Sequence, residues 1–534
     1  MFFNKYNAEG TDYNDCVARG NCALSPEIRA IQEVILMFTC QLAFYELKAE
    51  ELNMAYFENK EIVLSGVISL ISTSEYSHEQ LLDIISKIYS KLLYARKEYQ
   101  NFCTLNNIKC EDLKLSLKLS PEMTLNEIIR AGEKVFLENY KKLSLRQKTL
   151  REILILVVKS ICTNLSKLKE FDKTDLDVLK NMLEGLNILN FQRVALQKLK
   201  QKITSLSENN LELVRMLSSA QKEKFGPVMM KSVSRSTKPA KAILVSGSNL
   251  QNLYDVLKSS MDFEVDVYTH SDLLTAHALK RFEEFPNLKG QYGSCYTNCI
   301  VDFATFPGAI LLTKNTFPNV DYLYRGKLFS GEDISPTGVL KIKNNDYTPL
   351  IKASLEAKGF TKGKEMPSIS VGYDGAELEN KLDEISEKFK TSEIENLLIV
   401  GRSDFSGVQD EYFKKLFKQL KPKTFVITFS HNSGKDNELH INLGNNLPLI
   451  ADVIDKIFAK IDINSNRLSF FLTKCDPSSI SYIINLHNAG AKKIFLTKCP
   501  PFVINPSIQS AMKNLYGIYQ ALNPEDDLKI IYNL

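Results

Sequence analysis

Three side chains capable of metal or acid–base chemistry crowd one stretch, VYTHSDLLTAHALKRF (267–282): His270, Asp272 and His277. They follow a short apolar run that reads as a strand, and catalytic loops often sit at strand ends. Two imidazoles and a carboxylate would make a facial triad for iron(II). The alternative is that both histidines are hydrogen-bonded into the fold and bind nothing. Cysteine offers further candidates. Cys16 and Cys22 stand in a Cys-x5-Cys spacing near the N-terminus. Two thiolates do not close a four-coordinate site within one chain, so they read either as spare thiols or as half of a site. Cys295 and Cys299 in GSCYTNC are one helical turn apart, but no second pair accompanies them at metal-finger spacing. They read as core or surface thiols, and Cys475 and Cys499 come with no motif. SGSNL and GNNLPL are Gly- and Asn-bearing turns, neither a full GxGxxG, so they carry little nucleotide signal.

Two kinds of element must position these groups. Residues 25 to about 220 read as helical. SPEIRAIQEVILMFTCQLAFYELKAEEL opens with Ser25 as N-cap and Pro26 at the first helical position. Ile28, Ile31, Ile35, Phe38 and Leu42 then recur at three- and four-residue steps, which predicts one apolar face. SPEMTLNEIIRAGEKVFLENY repeats the Ser-Pro opening at Ser120, and two more long helices follow. Several such helices with short polar joins predict an antiparallel bundle. The cationic stretch 222–241, broken by Gly and Pro, reads as a linker. Beyond it the pattern changes to short β-rich runs, each followed by helix-like sequence: AILVS, VDVY, AILLT, LLIV, FVIT, SFFL and KIFL. That alternation predicts parallel α/β sheets. The expected organisation is a helical domain (1–221), the linker (222–241), and two Rossmann-like α/β domains (242–364 and 365–534), parted near KGFTKGKEMPSI.

Composition narrows the function class. A net charge of +4, from 67 basic and 63 acidic residues among 534, argues against an obligate nucleic-acid binder. The longest aliphatic block, ILILVV (153–158), is far short of the roughly 20 residues that span a bilayer. MFFNKYNAEG lacks the plan of a secretory signal, so the expected compartment is the cytoplasm, where cysteines stay thiols or bind metal.

AILVSGSNLQNLYDVL, VDVYTHSDLLTAHALKRFEEFPNLKGQYG, FPGAILLTKN, LLIVGRSDFSG, NNLPLIADV, GAKKIFLTKCPPFVINPSI and the opening MFFNKYNAEGTDYNDCVARGNC together resemble the hybrid-cluster protein family (prismane, hydroxylamine reductase). The resemblance runs in register along the whole chain, and extends more distantly to the nickel-containing carbon-monoxide dehydrogenases. It implies a helical domain and two Rossmann-like domains, an iron–sulfur cluster near the N-terminus, and a hybrid iron–sulfur–oxygen cluster where domains meet. The implied activity is reduction of hydroxylamine or nitric oxide.

The same resemblance assigns the cluster ligands, and here they are changed. The family's histidine position, in a Gly-His-Asp step, reads Gly247-Ser248-Asn249. Its first glutamate is Asp272. Its cysteines fall at Thr316, Ser403, Ser433 and at about Lys456, and a C-terminal glutamate and lysine at about Asp476 and Ser478. Hydroxyls are poor substitutes for thiolates toward iron. The expectation is therefore a binding or regulatory homologue without the hybrid cluster; the second reading is an oxidoreductase with an altered metal set. At the N-terminal site Phe3 and Tyr6 replace the first two cysteines. Cys16 and Cys22 then remain either spare thiols or one half of a 4Fe-4S cluster shared across a homodimer. Without iron, Asp272 and Asp476 would repel one another, which predicts that one holds a proton. Lys456 is expected within about 4 Å of one of them.

Overall fold

The computed structural model describes residues 26–534 except 55–56, 72–77, 116, 121–122, 142, 294–298, 314–322, 332–337, 404–406, 430–433, 435, 475, 497–511 and 522. The chain divides into two compact units, the first being Met1–Leu213 with Ile480–Asn485 and Pro501–Ala511.

The first unit is helical: α1 (Pro26–Glu51), α2 (Phe57–Ser69), α3 (His78–Leu105), α4 (Leu125–Lys141), α5 (Leu145–Lys169), α6 (Leu176–Ile188) and the first half of α7 (Leu196–Phe225). Its centre is α1, which packs on α2, α3, α4 and α6. The sequence predicts one apolar face, but α1 is buried on all sides along Thr39–Leu47. A helix with partners all round buries its whole circumference. Ala30–Glu51 is, among the described residues, the one helix long and apolar enough to cross a membrane; 83% of its apolar window is buried, as befits a core helix. At Gly132 of α4 the helices come so close that a Cβ would sit 1.9 Å from the Ala30 carbonyl oxygen.

Local signals set the helix ends. Ser144 and Gln147 exchange the two bonds of a capping box at the start of α5. For α4 the Ser-Pro opening at Ser120 gives the wrong start. Thr124 and Glu127 make the reciprocal cap instead (Thr124 N–H to Glu127 Oε2, 2.8 Å), and the helix begins at Leu125. Ser25 lies outside the described residues.

The second unit holds two six-stranded sheets, parallel throughout. The first comprises β2 (Lys241–Ser246), β3 (Val265–His270), β4 (Leu288–Gln291), β5 (Ala309–Leu312), β6 (Leu328–Ser330) and β7 (Leu340–Lys341). The second comprises β9 (Asn396–Gly401), β10 (Thr424–Thr428), β11 (Glu438–His440), β12 (Leu468–Leu472), β13 (Ile494–Leu496) and β14 (Ile518–Gln520). Counted along the chain within each sheet, both run 3-2-1-4-5-6, the doubly wound order. Their central strands are almost continuously buried, as parallel strands covered on both faces must be.

Helices α8 (Leu250–Ser260), α9 (Cys299–Thr305) and α10 (Thr348–Glu356) accompany the first sheet. With the second run α11 (Gly375–Lys390), α12 (Gly407–Lys418), α13 (Leu447–Phe458) and α15 (Pro524–Ile531), while α14 (Pro477–Asn488) starts in this unit and has Ile480–Asn485 in the first. The two stretches that read as joins are not bare linkers. α7 runs on to Phe225, and β1 (Lys231–Val233) pairs antiparallel with β8 (Ile369–Val371), Lys231 opposite Val371. Cys299 is buried in the core of the first sheet with Phe303 and Phe306, the thiol role expected of it.

Candidate functional site

In a doubly wound sheet, ligands meet the carboxyl ends of the strands where the strand order reverses. In the second sheet that point lies between β9 and β12. β9 ends at Gly401, and Arg402 follows with φ +45°. A non-glycine residue there costs on the order of 1–3 kcal/mol and persists only where surroundings over-determine it. The side chain shows what holds it. The buried Arg402 guanidinium grips Asp476 through both carboxylate oxygens (3.0 and 2.8 Å) and donates to Ser479 Oγ at 2.7 Å and to the Asn445 carbonyl at 3.3 Å. Ser479 N–H also donates to Asp476 at 2.7 Å, capping α14.

A second ion pair stands beside the first. Lys474, just past the end of β12, donates to Asp272 Oδ2 at 2.7 Å, and Asn445 Nδ2 donates to Asp272 Oδ1 at 3.2 Å. Asn445 also bonds Ser403 in both directions, accepting from its N–H (3.1 Å) and donating to its carbonyl (2.9 Å). Ser403 Oγ donates to Gln409 Oε1 at 2.6 Å, and Gln409 Nε2 donates to the Thr473 carbonyl at 2.9 Å. Two carboxylates and two cations therefore share one connected network, with charges balanced inside it.

The electrostatics follow from that balance. Burial pushes the Asp272 carboxyl up, but the Lys474 ammonium, the Arg402 charge and the Asn445 amide outweigh it, and the group ends below the usual carboxylate range. At Asp476 burial is outweighed by Arg402 and Lys474, which lower it to about 2. This differs from the expectation that one of the two acids holds a proton: each acid has its own cation, which favours the ionised form of both. Neither is disposed to act as a general base, because its lone pairs are already engaged.

Lys456 is not the cation of this site. It lies in the last turn of α13, whose buried face carries Leu449, Ile450, Val453, Ile454 and Ile457. That leaves Lys456 on the outer side, paired with Glu379 of α11 at 2.5 Å and more than a third exposed. The switch-point cations come instead from Arg402 and Lys474, which the sequence reading passed over. A signal existed: GRSD and TKCD each place a basic residue within two positions of the end of a buried strand. Ser478 is buried in the first turn of α14, next to Ser479. Ser248 sits in the turn before Asn249, which caps α8 by accepting from Asn252 N–H at 2.9 Å. Thr316, Ser433, Cys16 and Cys22 lie outside the described residues, as do Cys295, Cys475 and Cys499.

His270, Asp272 and His277 each have separate partners. His270, fully buried at the end of β3, bridges Ser246 Oγ (2.8 Å from Nδ1) and Asp302 Oδ2 (3.2 Å from Nε2). His277 Nε2 meets Thr269 Oγ1 at 2.8 Å, and burial lowers the imidazole to about 4. Asp272 belongs to Lys474. The hydrogen-bonded role is thus the one these histidines play here, and they do not converge with Asp272. Ser246, His270 and Asp302 do form a serine–histidine–carboxylate row, an arrangement suited to acyl transfer. Ser246 has no exposed surface, and its hydroxyl is engaged with His270.

Comparison with known proteins accords with this architecture. Hydroxylamine reductase of Zymomonas mobilis is 24% identical over 532 residues, covering 97% of this chain and 96% of that protein. Hydroxylamine reductase of Thermodesulfovibrio yellowstonii is 24% identical over 535 residues, covering 97% and 98%. Among solved structures, a chain of acetyl-CoA synthase/carbon monoxide dehydrogenase with NiZn[Fe4S4] and NiNi[Fe4S4] clusters shares the fold at TM-score 0.50 and 11% identity, covering 96% of this chain and 83% of that one. Residues 12–448 match the Prismane/CO dehydrogenase family, and the chain belongs to it.

Proposed function

We propose that this chain uses the Prismane fold without the hybrid iron–sulfur–oxygen cluster, as a repurposed, non-catalytic binding or regulatory protein of the cytoplasm. The observation that carries the reading is the closed Arg402–Asp476 and Lys474–Asp272 network at the switch point of the second sheet. Iron–sulfur clusters are held by thiolates and occasionally imidazole. The described positions that the family resemblance assigns as ligands offer hydroxyls at Ser248 and Ser403, an ammonium at Lys456, and two carboxylates already engaged by cations at Asp272 and Asp476. That donor set does not fit the cluster. Iron would have to displace buried, hydrogen-bonded cations, and stripping one partner from such a pair costs about 3–5 kcal/mol.

The second reading is an oxidoreductase of the hydroxylamine or nitric oxide reductase type with an altered metal set. Similarity to hydroxylamine reductases along 97% of the chain favours it. Iron and sulfide content, the visible spectrum, and hydroxylamine turnover with reduced viologen, all on anaerobically purified protein, separate the two. The first reading expects no turnover. Robust turnover that tracks bound iron overturns it.

Cys16 and Cys22 are tested apart from that site. If each subunit lends this pair to one 4Fe-4S cluster, the two loops meet on a two-fold axis. Cys16→Ser then removes iron and weakens the dimer together, whereas an iron-free monomer leaves two spare thiols.

A further inference from the structure

The first unit brings two other cysteines together. Beyond the end of α3, Ile108 N–H donates to the Cys103 carbonyl at 2.8 Å and turns the chain back along the helix. The returning segment is held by one face of α3 and by Tyr45 of α1. Glu111 N–H donates to Tyr99 Oη at 3.3 Å, Arg96 Nε and Gln100 Nε2 donate to Asp112 at 3.0 and 3.1 Å, and Leu113 N–H donates to Tyr45 Oη at 3.3 Å. Tyr99 and Cys103 are one helical turn apart on that face. Cys110, the residue before Glu111, is thereby folded back beside Cys103. Cys103 is buried, Cys110 is half-buried, and Leu105 and Ile108 of the intervening turn are exposed, so solvent reaches the pair from Cys110's side.

We propose that Cys103 and Cys110 are a reversible dithiol–disulfide pair, oxidised by hydroperoxides, that staples residues 106–110 to α3. Cys110, the accessible thiol, attacks the peroxide: an S–O bond forms, the O–O bond breaks, and the leaving hydroxide departs as water with the thiol's proton. Cys103 then attacks the sulfenyl sulfur. The S–S bond forms, the S–O bond breaks, and the second hydroxide leaves as water with the Cys103 proton. Two thiols and one hydrogen peroxide give one disulfide and two waters, the sulfurs supplying the two electrons. Burial and the neighbouring Cys103 sulfur push the Cys110 thiol up to about 11. Thiolate is therefore scarce at pH 7, and oxidation should accelerate roughly tenfold per pH unit below that value. The pair is independent of the switch-point site.

The test treats full-length native protein with hydrogen peroxide, quenches with N-ethylmaleimide, and maps tryptic peptides without reduction. Lys109 lies between the cysteines, so a disulfide joins residues 98–109 to 110–114 at the summed mass less two hydrogens. The expected result is that species, formed faster at pH 9 than at pH 7 and released by dithiothreitol. In Cys103→Ser, Cys110 should instead proceed to sulfinic acid. Recovery of both wild-type peptides as separate maleimide adducts, or Cys110 sulfinic acid with no cross-link, overturns the proposal.

Discussion

The two parallel sheets share one strand order and fill their switch points with different chemistry. In the first, β2 and β5 end in neutral hydrogen bonding: Thr313 donates through N–H and Oγ1 to the Ser246 carbonyl at 2.8 and 3.0 Å, beside the Ser246–His270–Asp302 row. In the second, β9 and β12 end in two full ion pairs. Topology places polar groups at the same point in both. The side chains then decide whether that point is a hydrogen-bonded histidine row or a salt-bridge lock, which is why fold alone does not settle function.

Breaking the lock should cost most. Arg402→Ala strands the Asp476 carboxylate and is expected to destabilise the second unit by about 3–5 kcal/mol in urea unfolding. Replacing the pair together, Arg402→Met with Asp476→Leu, should recover much of that loss, because no charge is left alone. A pair of variants that fare equally badly would mean packing, not charge, holds the site.

Acid separates the sheets. In the first, His277 is lowered to about 4 by burial, against about 6.5 in an unfolded chain. The unfolded state takes up the proton first, so this group's stability is full above pH 6.5 and falls as pH drops toward 4. The loss should reach roughly 3 kcal/mol. In the second, Asp476 is lowered to about 2 against about 3.9 unfolded. Its stabilisation, roughly 2.5 kcal/mol, is present above pH 4 and disappears as pH falls through 2. Denaturation curves at stepped pH should therefore show two limbs, with His277→Gln removing the upper and Asp476→Asn the lower. One merged limb in both variants would undo this division.

The smallest contrast is between two lysines. Lys474→Ala leaves Asp272 with Asn445 alone and should cost roughly 2 kcal/mol, less than a fully buried pair because both partners keep some exposure. Lys456→Ala breaks a surface pair with Glu379 and should cost under about 1 kcal/mol. Equal losses, read from thermal midpoints, would return Lys456 to the site.

Much of the fold was legible. The seven β-rich runs are the central strands of both sheets, since a strand buried on both faces is a continuous apolar run. Strands missed by the reading, such as β4, β6, β7, β11 and β14, are short outer ones with little apolar signal of their own. Of the site's carboxylates, Asp272 was legible from its place after a strand and Asp476 through the family resemblance; their cations were not.

By itself the sequence determined the helical and α/β halves, the strand-end location of Asp272, Ser403 and Asp476, and the residue types there. Only the tertiary structure decided which charges meet. Lys474 and Asp272 are 202 residues apart and belong to different sheets, and Arg402 reaches Asp476 across 74 residues. Periodicity reports what a segment buries over a few turns. Ion pairing depends on where strand order and a left-handed residue at Arg402 deliver side chains in space, and no local pattern carries that distance.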